Sequence, residues 1–253
     1  MSSKLSKNQL EKYSRQIILK NIGVLGQKKI LNSRVLVIGM GGLGCPVAEF
    51  LTRSGIGSIG IVDHDLVSLS NIHRQTLYDE KDIGKPKAAA AAYRLNAITP
   101  DVHARGEELT IPMPGHTISP EEEAFADAAL LRLEDLVKKH HVIFNLTDSR
   151  ESRWLPTVLC SRFDRLCITA ALGYDSYMVM RHGRRCPSIL NTIDIDESDG
   201  GWIGPIGEDC AEGCDNSQSP TIQSGPLGCY FCSDVVAPRD STIGRAADQA
   251  CTI

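Results

Sequence analysis

The turn Gly39-Met40-Gly41-Gly42-Leu43-Gly44 constrains this chain more than any other stretch, because the apolar run 34–38 enters it and Asp63 closes the next apolar run. Glycines let a backbone turn tightly and approach phosphate oxygens, and a helix beginning near Leu43 points free N–H groups and its positive dipole end at them. A strand, a glycine turn, a helix and a downstream acidic residue predict a nucleotide cradle in an α/β fold. On this turn alone, a nicotinamide-dependent oxidoreductase is as good a reading as an ATP enzyme.

The rest of the chain fits that fold class. Strand-like runs at 34–38, 58–62, 102–105, 141–146 and 166–169 alternate with helix-like runs at 43–54, 87–97, 121–139 and 150–162. Such alternation predicts a doubly wound, mostly parallel sheet. Residues 174–182 read as one further strand, antiparallel to the others. Residues 9–31 have helical character, with a break expected at Gly23-Val24-Leu25-Gly26. From 183 to 226 the sequence is rich in Gly, Asp, Ser and Pro and reads as a long irregular loop. The expected organisation is an ATP-binding domain over 1–183, followed by an irregular cysteine-rich segment over 184–253.

A net charge of −4 over 253 residues argues against a nucleic-acid surface, which needs a concentrated basic face. No apolar run approaches the ~20 residues that span a bilayer, and Met1 to Ser6 lacks the apolar segment of a signal peptide, so the expectation is a cytoplasmic protein without a membrane partner. The nine cysteines are then expected to be reduced, with Cys45, Cys160 and Cys167 as small core residues.

The chemistry becomes specific after Asp63. The chain reads Ser70-Asn71-Ile72-His73-Arg74-Gln75, then Gly84-Lys85-Pro86-Lys87, and later Thr147-Asp148-Ser149-Arg150, with Tyr13-Ser14-Arg15-Gln16 near the start. This ordered set resembles the ThiF/MoeB superfamily, which adenylates the C-terminal carboxylate of ubiquitin-like and sulfur-carrier proteins. The resemblance implies ATP at Gly39, Gly41, Gly42, Gly44, Asp63 and Asn71, with Asp63 on the ribose hydroxyls. A carboxylate attacking the α-phosphate brings anion to polyanion, so Arg74 and Lys87 would neutralise and align the triphosphate. Asp148 would hold Mg2+. Arg15 would reach the ATP of the opposite subunit, which implies a homodimer. Each residue also has a plain structural reading. Asp148 with Glu151 has capping-box spacing, Arg15, Arg74 and Lys87 read equally as solvated charges, and Asp65 and Arg150 stay ambiguous.

A second resemblance runs from about Gly84 onward. Ile111 to His116, Asp148 to Pro156, Ala170 to Ser176, Val179 to Gly183 and Leu227 to Cys232 are similar to the autophagy-type activating enzymes, while residues 13–75 look more like molybdopterin or thiolation-type members. The segment 237–252 matches the part of the autophagy type that carries its catalytic cysteine, which makes Cys251 the implied thioester nucleophile and implies a conjugating enzyme as partner. Relative to that family, 184–253 reads as a shortened counterpart. Cys229-x-x-Cys232 has structural-zinc spacing and Cys210-x-x-x-Cys214 offers a second thiolate pair, with reduced, unliganded thiols as the alternative. The expected function is ATP- and Mg-dependent activation of a ubiquitin-like protein. The alternatives are adenylation of a sulfur-carrier protein and a shortened paralogue that only binds a modifier or a full-length enzyme.

Overall fold

The protein is described by a computed structural model covering residues 5–113, 120–173, 177–183 and 230–233. At its centre lies β1 (Arg34–Ile38), whose last four residues are buried. A parallel strand covered on both faces must read as a continuous apolar run, and this one does. β2 (Ser58–Val62) and β4 (Val142–Asn145) pair with it in parallel on either side. β3 (His103–Glu107) lies outside β2, β5 (Leu166–Leu172) lies outside β4, and β6 (Tyr177–His182) closes the sheet antiparallel to β5. The order β3-β2-β1-β4-β5-β6 is the expected doubly wound arrangement.

The described helices are α1 (Lys7–Lys12), α2 (Ser14–Ile17), α3 (Gly23–Leu31), α4 (Gly44–Arg53), α5 (Lys87–Ile98), α6 (Pro120–Lys139), α7 (Arg150–Arg162) and α8 (Tyr230–Ser233). The period of two along β1 divides the core. Val35 and Val37 pack with Ile59, Ile61, Ala48 and Leu95 on the α4/α5 side. Leu36 and Ile38 pack with Leu133, Val137, Ile143 and Leu159 on the α6/α7 side. Cys45, Cys160 and Cys167 are fully buried free thiols in these two clusters, as expected.

Most boundaries fall within one residue of the sequence reading, and the larger departures are in β3, β5 and the N-terminal helices. β3 starts one residue late and runs to Glu107, because that residue pairs with Val62 at the end of β2. β5 runs on to Leu172, which pairs with Tyr177 of the returning strand. The expected strand at 174–182 is β6, and 174–176 lie outside the described residues. Near the N-terminus the break is not at Gly23 to Gly26. The helix is interrupted at 18–22, and α3 begins at Gly23, whose φ is +59°, and passes through Gly26. A mid-helix glycine costs about 1 kcal/mol relative to alanine. Here the adjacent Gln27 is fully buried and donates to the Ser54 carbonyl at 3.1 Å while accepting from Gln16 at 2.8 Å, so tertiary bonds fix the helix across it.

The N-terminal helices are docked at the far end of α4. Gln16 also donates to the Ser54 carbonyl, and the buried Tyr13 hydroxyl donates to Asp101 at 3.0 Å. At the other end, α8 sits on α7. Buried Tyr230 accepts from Arg153 at 3.3 Å, and the rings of Phe231 and Trp154 are 6.4 Å apart. No helix among the described residues is long and apolar enough to cross a membrane.

Candidate functional site

β1 is followed by a chain that moves to β2 on one side, and its other neighbour is β4, so the crevice outside the carboxyl ends of β1 and β4 is the topological switch point where α/β sheets bind ligands. The glycine turn sits there, and its glycines divide into two pairs. Gly39 has φ +90°, and a Cβ on it would lie 2.9 Å from the Leu146 and Thr147 backbone, so it lets the loop after β4 press against the turn. A Cβ on Gly44 would overlap the Gly39 carbonyl oxygen, so Gly44 lets α4 begin directly on the turn. Gly41 and Gly42 face open space. Beyond them lie only the Gln75 amide and the Arg74 stem, each 3.9 Å from a would-be Cβ. The first pair builds the turn, and the second leaves room for a ligand.

Asp63 ties this turn to β2. One carboxylate oxygen accepts from the Met40 N–H at 2.6 Å and the other from the Asp65 N–H at 2.8 Å. Burial raises its pKa above the ordinary aspartate value, with the two N–H groups and Lys87 opposing. Lys87 opens α5 and is 5% exposed. A buried ammonium needs an anion, and here Asp65 supplies it at 2.7 Å. Asp65, ambiguous in the sequence, is therefore the counterion of Lys87. Arg74 is exposed and donates to the Ser70 carbonyl at 2.7 Å. Asn71 is buried with its side-chain oxygen accepting from the Ser68 N–H at 2.9 Å, so it closes the short 3-10 turn that presents Arg74.

The loop after β4 carries Asp148. The capping alternative for this residue is wrong in register: Ser149 is the N-cap of α7, with Ser152 as its partner. Ser149 has the extended backbone that a cap requires, which leaves the Asp148 side chain exposed. Arg153, itself 5% exposed, fixes the loop by donating to the Thr147 carbonyl at 2.8 and 3.0 Å and to the Asp148 carbonyl at 3.2 Å.

The structure thus gathers the glycine turn, Asp63, Asn71, Arg74, Lys87 and the Asp148 loop along one edge of the sheet. It does not gather Arg15. That residue is exposed on α2, whose next residue, Gln16, bonds to Ser54 beyond the far end of α4. Ten helical residues separate that end from the glycine turn, about 15 Å at 1.5 Å per residue. Cys210, Cys214, Cys229 and Cys251 lie outside the described residues, and Cys232 falls in α8.

Several contributors escape sequence reasoning. The Tyr78 hydroxyl, fully inside, lies 3.1 Å from the Met40 carbonyl and 3.3 Å from the Lys87 carbonyl, bridging turn and α5. Gln75 is 3% exposed, and its Oε1 has no partner among the described residues. Asp82 accepts from Lys85 at 2.9 Å and from Arg94 at 3.2 Å and steadies the loop that leads to Lys87. Burial alone pushes its carboxyl up, but Lys85, the Asp79 N–H and Arg94 outweigh burial and hold it at about 2. The only sequence signal for any of these was the Arg74-Gln75 pair.

These features fit a nucleotide triphosphate: a cradle that a Cβ would fill, the Gln75 amide nitrogen beside it, and a buried lysine held by a carboxylate. The ThiF family profile matches residues 13–252. The chain is 43% identical over 227 residues to the ubiquitin-like modifier-activating enzyme ATG7 of Komagataella pastoris, covering 88% of this chain and 30% of that protein. It is 43% identical over 237 residues to ATG7 of Gallus gallus, covering 92% and 32%. The chain therefore spans about a third of the length of the relatives it matches. Among solved structures, that of selenomethionine PaaA superposes with a TM-score of 0.55 at 28% identity, over 72% of this chain and 56% of that one. With a profile match over nearly its whole length and these identities, the chain belongs to the ThiF family.

Proposed function

We propose that this chain binds ATP with Mg2+ at the carboxyl edge of β1 and β4 and adenylates the C-terminal carboxylate of a ubiquitin-like protein, most closely of the autophagy type. The observation that carries the reading is the buried Lys87 held by Asp65, on a helix that Tyr78 ties to the same glycine turn where Gly41 and Gly42 leave space beside Arg74 and Gln75. The nicotinamide reading rests on the glycine turn and Asp63 alone, whereas a triphosphate also accounts for Lys87 and Arg74 beside that turn.

In this reading the glycine turn and the start of α4 offer N–H groups to phosphate oxygens, Asp63 orients the ribose, and Lys87 and Arg74 align the triphosphate. Asp148 is the residue that would hold the cation, which would supply neutralisation of the phosphate charge. The modifier's carboxylate oxygen bonds to the α-phosphorus as the bond from that phosphorus to the bridging oxygen breaks, and pyrophosphate leaves. Cys251 then attacks the acyl carbon as a thiolate, forms the thioester and releases AMP. Residues 1–183 form the adenylating domain, and 184–253 carry the nucleophile and the cysteine pairs that would hold structural zinc. A conjugating enzyme would take over the thioester, in the cytoplasm.

The test is modifier-dependent exchange of labelled pyrophosphate into ATP. Exchange with an autophagy-type modifier and not with ubiquitin or sulfur-carrier substrates is the expected result. ATP binding without exchange for any of them would replace this reading with that of a non-catalytic binding protein.

The position of Arg15 supports a homodimer, because at the far end of α4 it cannot serve its own nucleotide edge. The same end carries exposed Ile18, Leu25 and Phe50, each more than 70% accessible, which suit an apolar subunit contact. Arg15→Ala mixed with Asp148→Ala is expected to regain about a quarter of wild-type exchange at equal concentrations, the share expected if subunits reassort at random and one hybrid site is intact. Recovery absent despite demonstrated subunit exchange would place the arginine outside the neighbouring site.

A further inference from the structure

The sheet face under α6 and α7 is not wholly covered. β3 and the outer part of β2 extend past α6, and a crevice of about 410 Å³ opens between them. In register, Arg34, Ser58 and His103 form one row across β1, β2 and β3, and Leu36, Gly60 and Arg105 form the next. The middle strand contributes only small side chains to the crevice, Ser58 and Gly60. The space above Gly60 is taken by the His140 ring and the Leu36 side chain, and the strands that carry the walls stand two strand spacings apart, about 10 Å. The β3 wall carries His103 and Arg105. The opposite wall carries Arg34, with Lys139 and His140 from the end of α6.

This crevice is cationic in a chain whose net charge is −4. Neither Arg34 nor Arg105 is in an ion pair among the described residues; the Arg34 guanidinium donates to the Lys139 carbonyl at 2.6 Å. The one carboxylate lining it, Glu107, is taken by Arg132. Over Gly60 sits His140, 8% exposed, with its Nε2 2.8 Å from where a Gly60 Cβ would be. Its Nδ1 donates to the Leu136 carbonyl at 2.6 Å. Burial lowers its pKa, so the imidazole rests neutral and becomes a second donor only beside an anion. A merely solvated edge-strand face has no reason to collect unpaired guanidinium groups on both sides of a glycine floor. Like charges so arranged repel unless something negative lies between them.

We propose that this crevice is a second anion site, separate from the nucleotide edge, which takes a polyphosphate or phosphate-ester group bound between Arg34 and Arg105. Guanidinium groups on facing walls match the several acceptor oxygens of such a group.

The chain's own histidines report on both sites independently. His103 and His140 line the crevice, while His64 and His73 lie beside the nucleotide residues Asp63 and Arg74 in sequence. Inorganic pyrophosphate titrated into the 253-residue protein is expected to move the imidazole C–H resonances of His103 and His140 along a saturable curve, with signals assigned by single His→Gln substitutions. Arg34→Ser with Arg105→Ser, both at exposed positions, should weaken that response about tenfold or more, as expected for losing charge-assisted hydrogen bonds. The response at His64 and His73 should be unchanged. Bound pyrophosphate should also raise the titration midpoint of His140, against the cations Arg34, Arg105 and Lys139 and with Glu107 already present. Crevice resonances that stay still, or that shift equally in the double variant, would overturn the proposal without touching the reading of the nucleotide edge.

Discussion

Asp148→Ala is expected to lower pyrophosphate exchange by about a hundredfold or more, the usual cost of removing one electrostatic group from a charged transition state. Its stability should stay within about 0.5 kcal/mol of the parent, as for exposed side chains that no special contact holds. The separation is clean because the Asp148 side chain caps nothing. Ser149 and Ser152 start α7 by themselves, and Arg153 grips the loop through its backbone carbonyls. Asp148→Asn, which keeps the volume and removes the charge, should be as inactive as the alanine variant. Exchange at the parental rate in either variant would remove Asp148 from the site.

The second large effect distinguishes the two kinds of glycine in the turn. Gly44→Ala is expected to destabilise the fold by roughly 3 kcal/mol or more, since the new methyl group meets backbone that cannot step aside. For a domain of this size that lowers the thermal midpoint by roughly 6–12 °C. Gly41→Ala meets nothing nearer than the Gln75 amide. Its midpoint should be unchanged or slightly higher, because alanine restricts the unfolded chain. Its affinity for ATP should nevertheless fall about tenfold or more, since the methyl group stands where phosphate would approach. Thermal unfolding and calorimetric titration of both variants check this. Equal midpoints for the two would mean that α4 does not start on the Gly39 carbonyl as described.

What the sequence made legible follows from local physics. The interior strands were readable because parallel strands buried on both faces are continuous apolar runs, as in Val35 to Ile38. β3 was less so, because as an edge strand with one exposed face its end is set by pairing of Glu107 with Val62, a fact about β2. The break assigned to Gly23 to Gly26 failed because a buried glutamine bonded to Gln16 and to the Ser54 carbonyl outweighed a glycine's propensity. At the site, Arg74, Lys87 and Asp148 were legible through the resemblance of an ordered motif set, whereas the roles of Arg153, Tyr78 and Asp82 rest on contacts between distant elements that no spacing rule encodes. The capping spacing of Asp148 with Glu151 was a true local signal displaced by one residue, since Ser149 competes for the same cap and wins.

The pairing of Lys87 with Asp65 has a consequence for selectivity. Because the buried ammonium already has an incumbent, an arriving ligand gains only the difference between its own attraction and that of a carboxylate 2.7 Å away. A single weak anion gains almost nothing from that exchange, and a densely charged one gains a great deal. On the proposed reading, the pair would set a threshold that favours triphosphate over the singly charged anions of the surrounding solution. After pyrophosphate left, Asp65 would be at hand to reclaim the lysine, so the contact that admits the nucleotide would also help the spent site to clear.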